Sequence, residues 1–340
     1  MIDAAVRSVG LELVALRPLL ETPIDVRLAV APGDRILVAP GEAVVAGAQV
    51  AERVRDTHLE EITAPVADGQ PGGRWSGELG PGGLGLRRRA ATASGELLFA
   101  ADGRWRVAIG SHVEPVESPV EGTVRSVRPG VDLVIRATGR GLPGASALGA
   151  PARGILAIET GPDGELRSGA VDVAASGRIL VAGSRVDAET LTRARAMGAR
   201  GMVVAGLSGK ERRDFLASEA RQRAALHRPP PFAVLVLDGA LRRPIASAIM
   251  AVLAALAGRE VAVVTDPPAL VFDEPALSIP TPDPGWVRVR SGPLAGGEGR
   301  WAGLAGPRRF GPGTHLEAGF VEFPGEEPVA LPLNDLERYA

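Results

Sequence analysis

At 340 residues, 45% of them apolar, the chain is too long for one comfortable core and reads as two or three globular domains. Its net charge of −2 removes any whole-protein attraction to nucleic acid or anionic lipid. Cysteine is absent, which excludes disulfides, thiolate zinc sites, Cys-ligated iron–sulfur clusters and cysteine nucleophiles together.

Aromatic residues are only 4%, so the cores must be built from Val, Leu, Ile and Ala. The first residues, MIDAAVRSVGLELVAL, lack a basic stretch ahead of an apolar one and do not read as a signal peptide. The most apolar run, Ile245 to Ala257, is far shorter than the ~20 residues a membrane span needs. The expectation is a cytoplasmic protein with no membrane segment.

Residues 1–164 read as β-rich, with short Val, Ile and Leu strands alternating with Pro-Gly, Gly-Asp and Gly-Glu breaks. Two phrases share a turn grammar: Pro40-Gly41-Glu42 with Ala46 to Val50, and Ser118 to Val124 with Pro129-Gly130. Together they resemble the two halves of a biotinyl/lipoyl-like barrel-sandwich hybrid, similar also to the N-terminal part of RnfC-like proteins. A carrier domain of that kind needs a lysine at a hairpin tip, and the only lysine here is Lys210, so swinging-arm chemistry is excluded. Without cluster cysteines the RnfC likeness implies no redox role either.

A Gly-rich insertion interrupts this segment. Gly80 to Gly85 followed by Arg87, Arg88 and Arg89 could face an anion, but reads as a flexible loop beside a solvated basic strand. Asp56, His58, Glu60 and Glu61 read as a solvated polar strand rather than a metal site, because the four histidines, His58, His112, His227 and His315, are scattered. No metal, cofactor or catalytic residue is assigned.

Residues 165–276 change period and read as α/β. Arg178 to Gly183 and Gly201 to Gly206 are short apolar strands, Asp187 caps a helix that Gly198 ends, and Ser208 caps a charged helix from Lys210. A third helix runs from Pro244 to Ala257 with one apolar face. Strands alternating with helices predict a small, mainly parallel sheet. Gly206, Ser208, Gly209 and Lys210, at a strand-to-helix turn, are the candidate anion-binding residues for a small-molecule ligand. The prolines Pro267, Pro268, Pro275, Pro280, Pro282 and Pro284 read as a linker.

Residues 277–340 hold the clearest pattern. Trp286 to Arg290 alternate as a strand, Ser291-Gly292-Pro293 breaks it, Gly296, Gly297 and Gly299 lead into Arg300-Trp301, and Pro332 to Glu337 close the segment. This resembles a KOW motif, the SH3-like barrel of NusG-type transcription factors and several ribosomal proteins. The resemblance implies a non-enzymatic module docking on a protein or ribonucleoprotein partner. The candidate partner- or RNA-binding residues are Arg288, Arg290, Arg300, Trp301, Arg308, Arg309 and Phe310. Arginine beside an aromatic pairs a phosphate contact with a stacking surface. From 285 onward, however, six arginines face seven acids, which is not the basic footprint of a nucleic-acid domain.

Overall fold

A computed structural model describes residues 10–14, 17–55, 58–62, 69, 74–79, 91–101, 104–109, 112–224, 230–274, 276–279, 285–311 and 313–339. The Gly80 to Arg89 loop, Asp56, His227 and the linker prolines Pro275, Pro280, Pro282 and Pro284 lie outside them. Half the chain is strand and 15% helix, in several sheets, so a mixed, β-rich, multidomain architecture holds. Among the described residues no sheet closes into a barrel.

The N-terminal unit is two facing sheets. One joins Ile24–Ala29, Asp132–Ala137, Gly122–Arg128 and Ala43–Val44; the other joins His112–Glu117, Gln49–Arg55 and Arg35–Ile36. Alternation sends Ile24, Val26, Leu28, Leu133 and Ile135 inward to one apolar core. The two phrases with the same turn grammar meet here. Gly41 N donates to Val124 O at 2.7 Å, and Gly47 N and Ser118 N exchange bonds with Ser118 O and Ala48 O, each at 2.8 Å. A separate four-stranded sheet, His58–Ile62, Arg104–Ile109, Ala91–Ala101 and Arg74–Leu79, lies between the two halves in sequence.

The α/β unit has four long parallel strands in sequence order, Ala152–Ile158, Arg178–Val181, Gly201–Gly206 and Ala233–Gly239, and two short ones, Arg185–Val186 beside the third and Glu165–Leu166 beyond it. Antiparallel strands Glu260–Thr265, Pro268–Phe272 and Arg140–Pro143 extend it on one side, and Ser146–Gly149 on the other. The strands from Arg140 to Ile158, which the sequence places in the first segment, therefore belong to this sheet. Three helices cover it among the described residues: α1 (Ala188–Ala196), α2 (Gly209–Ala224) and α3 (Ser247–Leu256). Leu191, Ala194 and Phe215 pack on one face of the sheet, and Val252, Leu253 and Leu256 on the other.

Local chemistry explains the helix ends. Thr190 N donates to the Asp187 carboxylate at 2.7 Å, and Gly198 takes φ 85° just beyond α1. Helix α3 starts at Ser247 rather than near Pro244 as the sequence predicts. Ile245 N donates to Pro162 O and Ser247 N to Gly296 O, each at 2.9 Å, so other segments hold the chain extended there.

The C-terminal unit is a meander of Trp286–Val289, Glu298–Phe310, Thr314–Glu322 and Val329–Pro332, then a 3₁₀ turn at Leu333–Asp335 and a last strand, Leu336–Tyr339, that returns to pair with the first. Glu12–Val14 adds a parallel sixth strand beside the last. The two outer strands do not pair with each other, so the predicted barrel is an open six-stranded sheet. Leu11, Val287, Val289, Trp301, Val321 and Leu336 form its apolar core.

Candidate binding surface

The alternating strand Trp286–Val289 sends Val287 and Val289 into that core, which points Arg288 the opposite way. In an isolated sheet this second face would meet water. Here it meets the α/β unit. Glu12, Glu337, Arg288 and Glu298 are direct neighbours across four strands. Arg288 Nε donates to Glu337 Oε1 at 2.5 Å and Nη1 to Asp238 Oδ2 at 3.1 Å, Asp238 lying on the sheet strand Ala233–Gly239. Arg243 Nη2 reaches Glu12 Oε1 at 2.8 Å, and Arg243 Nε lies 3.0 Å from Glu337 Oε2 without hydrogen-bond alignment. Arg290 Nη1 donates to the other Glu12 oxygen at 2.5 Å.

Burial makes this row consequential. The side chains of Arg288 and Glu337 are 1% and 0% exposed. Burial disfavours the Arg288 charge, but the Asp238 and Glu337 carboxylates outweigh it and hold the guanidinium protonated above its usual range. Burial also pushes the Glu298 carboxyl up, although it accepts a hydrogen bond from the Tyr339 hydroxyl at 2.6 Å. The same burial, with Glu298 beside it, pushes the Tyr339 hydroxyl up.

The glycine turn after the strand is spent on the same contact. Gly296 has φ 86°, and a Cβ there would lie 2.8 Å from Ile245 O. Trp301 is 3% exposed, closed over by Gly319, where a Cβ would fall 2.1 Å from the ring. Arg288 and Trp301 are therefore interior residues, which corrects their reading as partner contacts. Arg290 is tied to Glu12.

Arg300, Arg308, Arg309 and Phe310 sit differently. Glu298–Phe310 and Thr314–Glu322 pair from Arg300↔Glu322 to Phe310↔Thr314, but the flanking strands support only 298–300 and 318–321. Beyond them the ribbon is a two-stranded arm. Register shifts at Trp301/Gly303 and Leu304/Gly306, with Gly303 at φ 121° and Gly306 at φ 69°, mark bulges that bend it. None of the described residues from 302 to 317 is buried. Arg308 lies over the Phe320 ring at 5.8 Å and donates to Ala305 O at 3.2 Å, while Arg309 is exposed and Phe310 half-buried. The sequence predicts only a short strand near Arg300-Trp301; the one cue to a longer hairpin is the Gly311-Pro312-Gly313 break between its two strands.

The α/β turn Gly206 to Lys210 forms as predicted, but its groups are engaged internally. Ser208 Oγ accepts from Glu211 N at 3.2 Å, Lys210 Nζ pairs with Asp214 at 3.3 Å, and the Glu211 carboxylate accepts from Ala188 N at 2.8 Å. Gly206 is pressed against Leu241 O, and Gly209 opens α2. Glu61 pairs with Arg104 and Arg106, at 2.5 and 2.6 Å; the Arg104 hydrogen bond lowers its pKa. Among the described residues no group of three potential metal ligands gathers, and no helix is long and apolar enough to cross a membrane.

No family model matches this chain, and no curated protein matches it in sequence.

Proposed function

We propose that this chain is a non-enzymatic binding protein whose C-terminal, KOW-like module docks on a protein or ribonucleoprotein partner through its two-stranded arm. One observation carries the reading. Glu298–Phe310 and Thr314–Glu322 run well past the strands that support them and bury nothing at their far end. A lone two-stranded ribbon is marginal in water, so a long one held out from a fold is best explained by a partner that covers it. Its side chains offer mixed chemistry: Arg308 and Arg309 against Glu317, with Leu304, Phe310 and Leu316 alongside. Aromatic and arginine anchors of this type dominate interface energetics.

The meander, the 3₁₀ turn and the return of the last strand to the first support the likeness to an SH3-like module. The paired N-terminal phrases likewise support a barrel-sandwich hybrid. The buried charge row makes the C-terminal sheet and the α/β unit a rigid base from which the arm projects.

The test is affinity purification of the full chain from its native host, with and without RNase, beside the variant Arg308→Glu/Arg309→Glu/Phe310→Ala. The three residues are outside the core, so folding should be unchanged. Partners that disappear only with RNase define a ribonucleoprotein target, and partners retained define a protein one. An identical partner list for both chains would sink the reading.

A further inference from the structure

The outer face of the N-terminal sandwich carries a second feature, independent of the arm. Strands Ile24–Ala29, Asp132–Ala137 and Gly122–Arg128 lie side by side, and the register between the last two shifts at Val124/Ser126, leaving Arg125 as an extra residue. A cleft of ≈ 470 Å³ opens there, lined by Asp25, Arg27, Arg125, Ser126, Arg128 and Val134. That volume falls within the range of small-molecule sites.

The arrangement of charge within it is layered. The Asp132 side chain is 3% exposed and holds Arg27 at 3.1 Å and Arg128, whose side chains are 51% and 59% exposed. Asp25 is 33% exposed and holds Arg125 and, at 3.2 Å, Arg136. Asp266 takes the remaining edge of Arg27 at 2.6 Å. Asp132 and Asp25 thus lie deeper than the arginines they orient, whereas Asp266, 56% exposed, is as open as Arg27. A guanidinium has five N–H donors in a rigid fork, so one edge can be fixed from below while the other faces the cleft. Arg27, Arg125, Arg128 and Arg136 outnumber Asp25, Asp132 and Asp266, a surplus of one positive charge. The Arg128 hydrogen bond holds the Asp132 carboxyl below the usual carboxylate range, so the support stays ionised.

We propose that this cleft binds a small polyphosphate anion, its phosphoryl groups received by the outward edges of Arg125 and Arg128. A single carboxylate is satisfied by one arginine fork, whereas a chain of phosphoryl groups can engage two forks at once. The fixed acids matter because arginines already held in place lose less freedom on binding.

Calorimetric titration of the full chain with inorganic tripolyphosphate tests this. The wild type should bind saturably at one site. Arg125→Gln/Arg128→Gln should weaken binding at least tenfold, while Arg308→Gln/Arg309→Gln, the same charge change on the arm, should leave it within twofold. Arg125→Gln alone is the folding control, since Asp25 keeps Arg136; it should weaken binding with an unchanged melting temperature. The proposal is overturned by no saturable heat, by equal losses in the cleft and arm variants, or by sulfate at matched ionic strength binding as well. Hexaglutamate binding more tightly than tripolyphosphate would overturn the ligand class.

Discussion

Arg288→Met removes the central cation of the buried row while keeping much of its apolar volume. Asp238 then loses the 3.1 Å bond from Nη1, and Glu337, fully buried, keeps only the poorly aligned Arg243. Breaking a buried ion pair from one side costs about 3–5 kcal/mol, because a charge is stranded rather than merely an attraction lost. Arg243 still faces Glu337, so the lower end, about 3 kcal/mol, is expected. Against a typical total of about 5–15 kcal/mol, that is a large shift. Urea unfolding followed by tryptophan fluorescence reads it, since Trp286 and Trp301 lie in the sheet that carries Arg288. The double variant Arg288→Met/Glu337→Gln removes opposite charges together and should recover at least about 1 kcal/mol of the loss. A single variant within about 0.5 kcal/mol of wild type, or strictly additive losses, would refute the claim that these charges hold the C-terminal sheet to the α/β unit.

Three further outcomes follow from the same contacts. Gly319→Ala puts a methyl 2.1 Å from the Trp301 ring and should cost about 1–3 kcal/mol in chemical unfolding, whereas Thr314→Ala on the exposed arm should cost under about 0.5 kcal/mol. Gly296→Ala combines a positive φ with contact against Ile245 O and should cost about 1–3 kcal/mol; a neutral result would show that the turn is not docked. Glu298 gives a pH signature. Its folded pKa is raised, so the folded state binds more protons and stability falls as pH rises from the ordinary glutamate value, about 4.3, through the raised one. Glu298→Gln removes that loss, so its melting temperature should gain on wild type across this rise and then run parallel. Curves parallel throughout would contradict it.

What was legible in the sequence was local. Asp187, Gly198 and Ser208 mark helix ends by chemistry that acts within a few residues, and all three act as read. The paired turn phrases around Gly41 and Gly122 were also visible, because each needs its own glycine and proline. The burial of Arg288 is not legible locally, for a physical reason. An alternating Val-Arg-Val strand signals one buried and one wet face, and only docking on a second unit turns the wet face inward. The partners that do this are remote: Asp238 lies 50 positions from Arg288, and Arg243 lies 231 from Glu12. The late start of α3 has a similar origin, since the Pro162 and Gly296 carbonyls, remote in sequence, accept the Ile245 and Ser247 N–H groups. The arm buries none of its described residues from 302 to 317, so no apolar stripe in the sequence marks its length.

The most direct measurement is quantitative co-purification of the full chain and its Arg308→Glu/Arg309→Glu/Phe310→Ala variant from the native host, with matched melting temperatures. A partner that is stoichiometric with wild type should fall at least tenfold with the variant. Equal recovery from both chains would contradict a binding role for the arm.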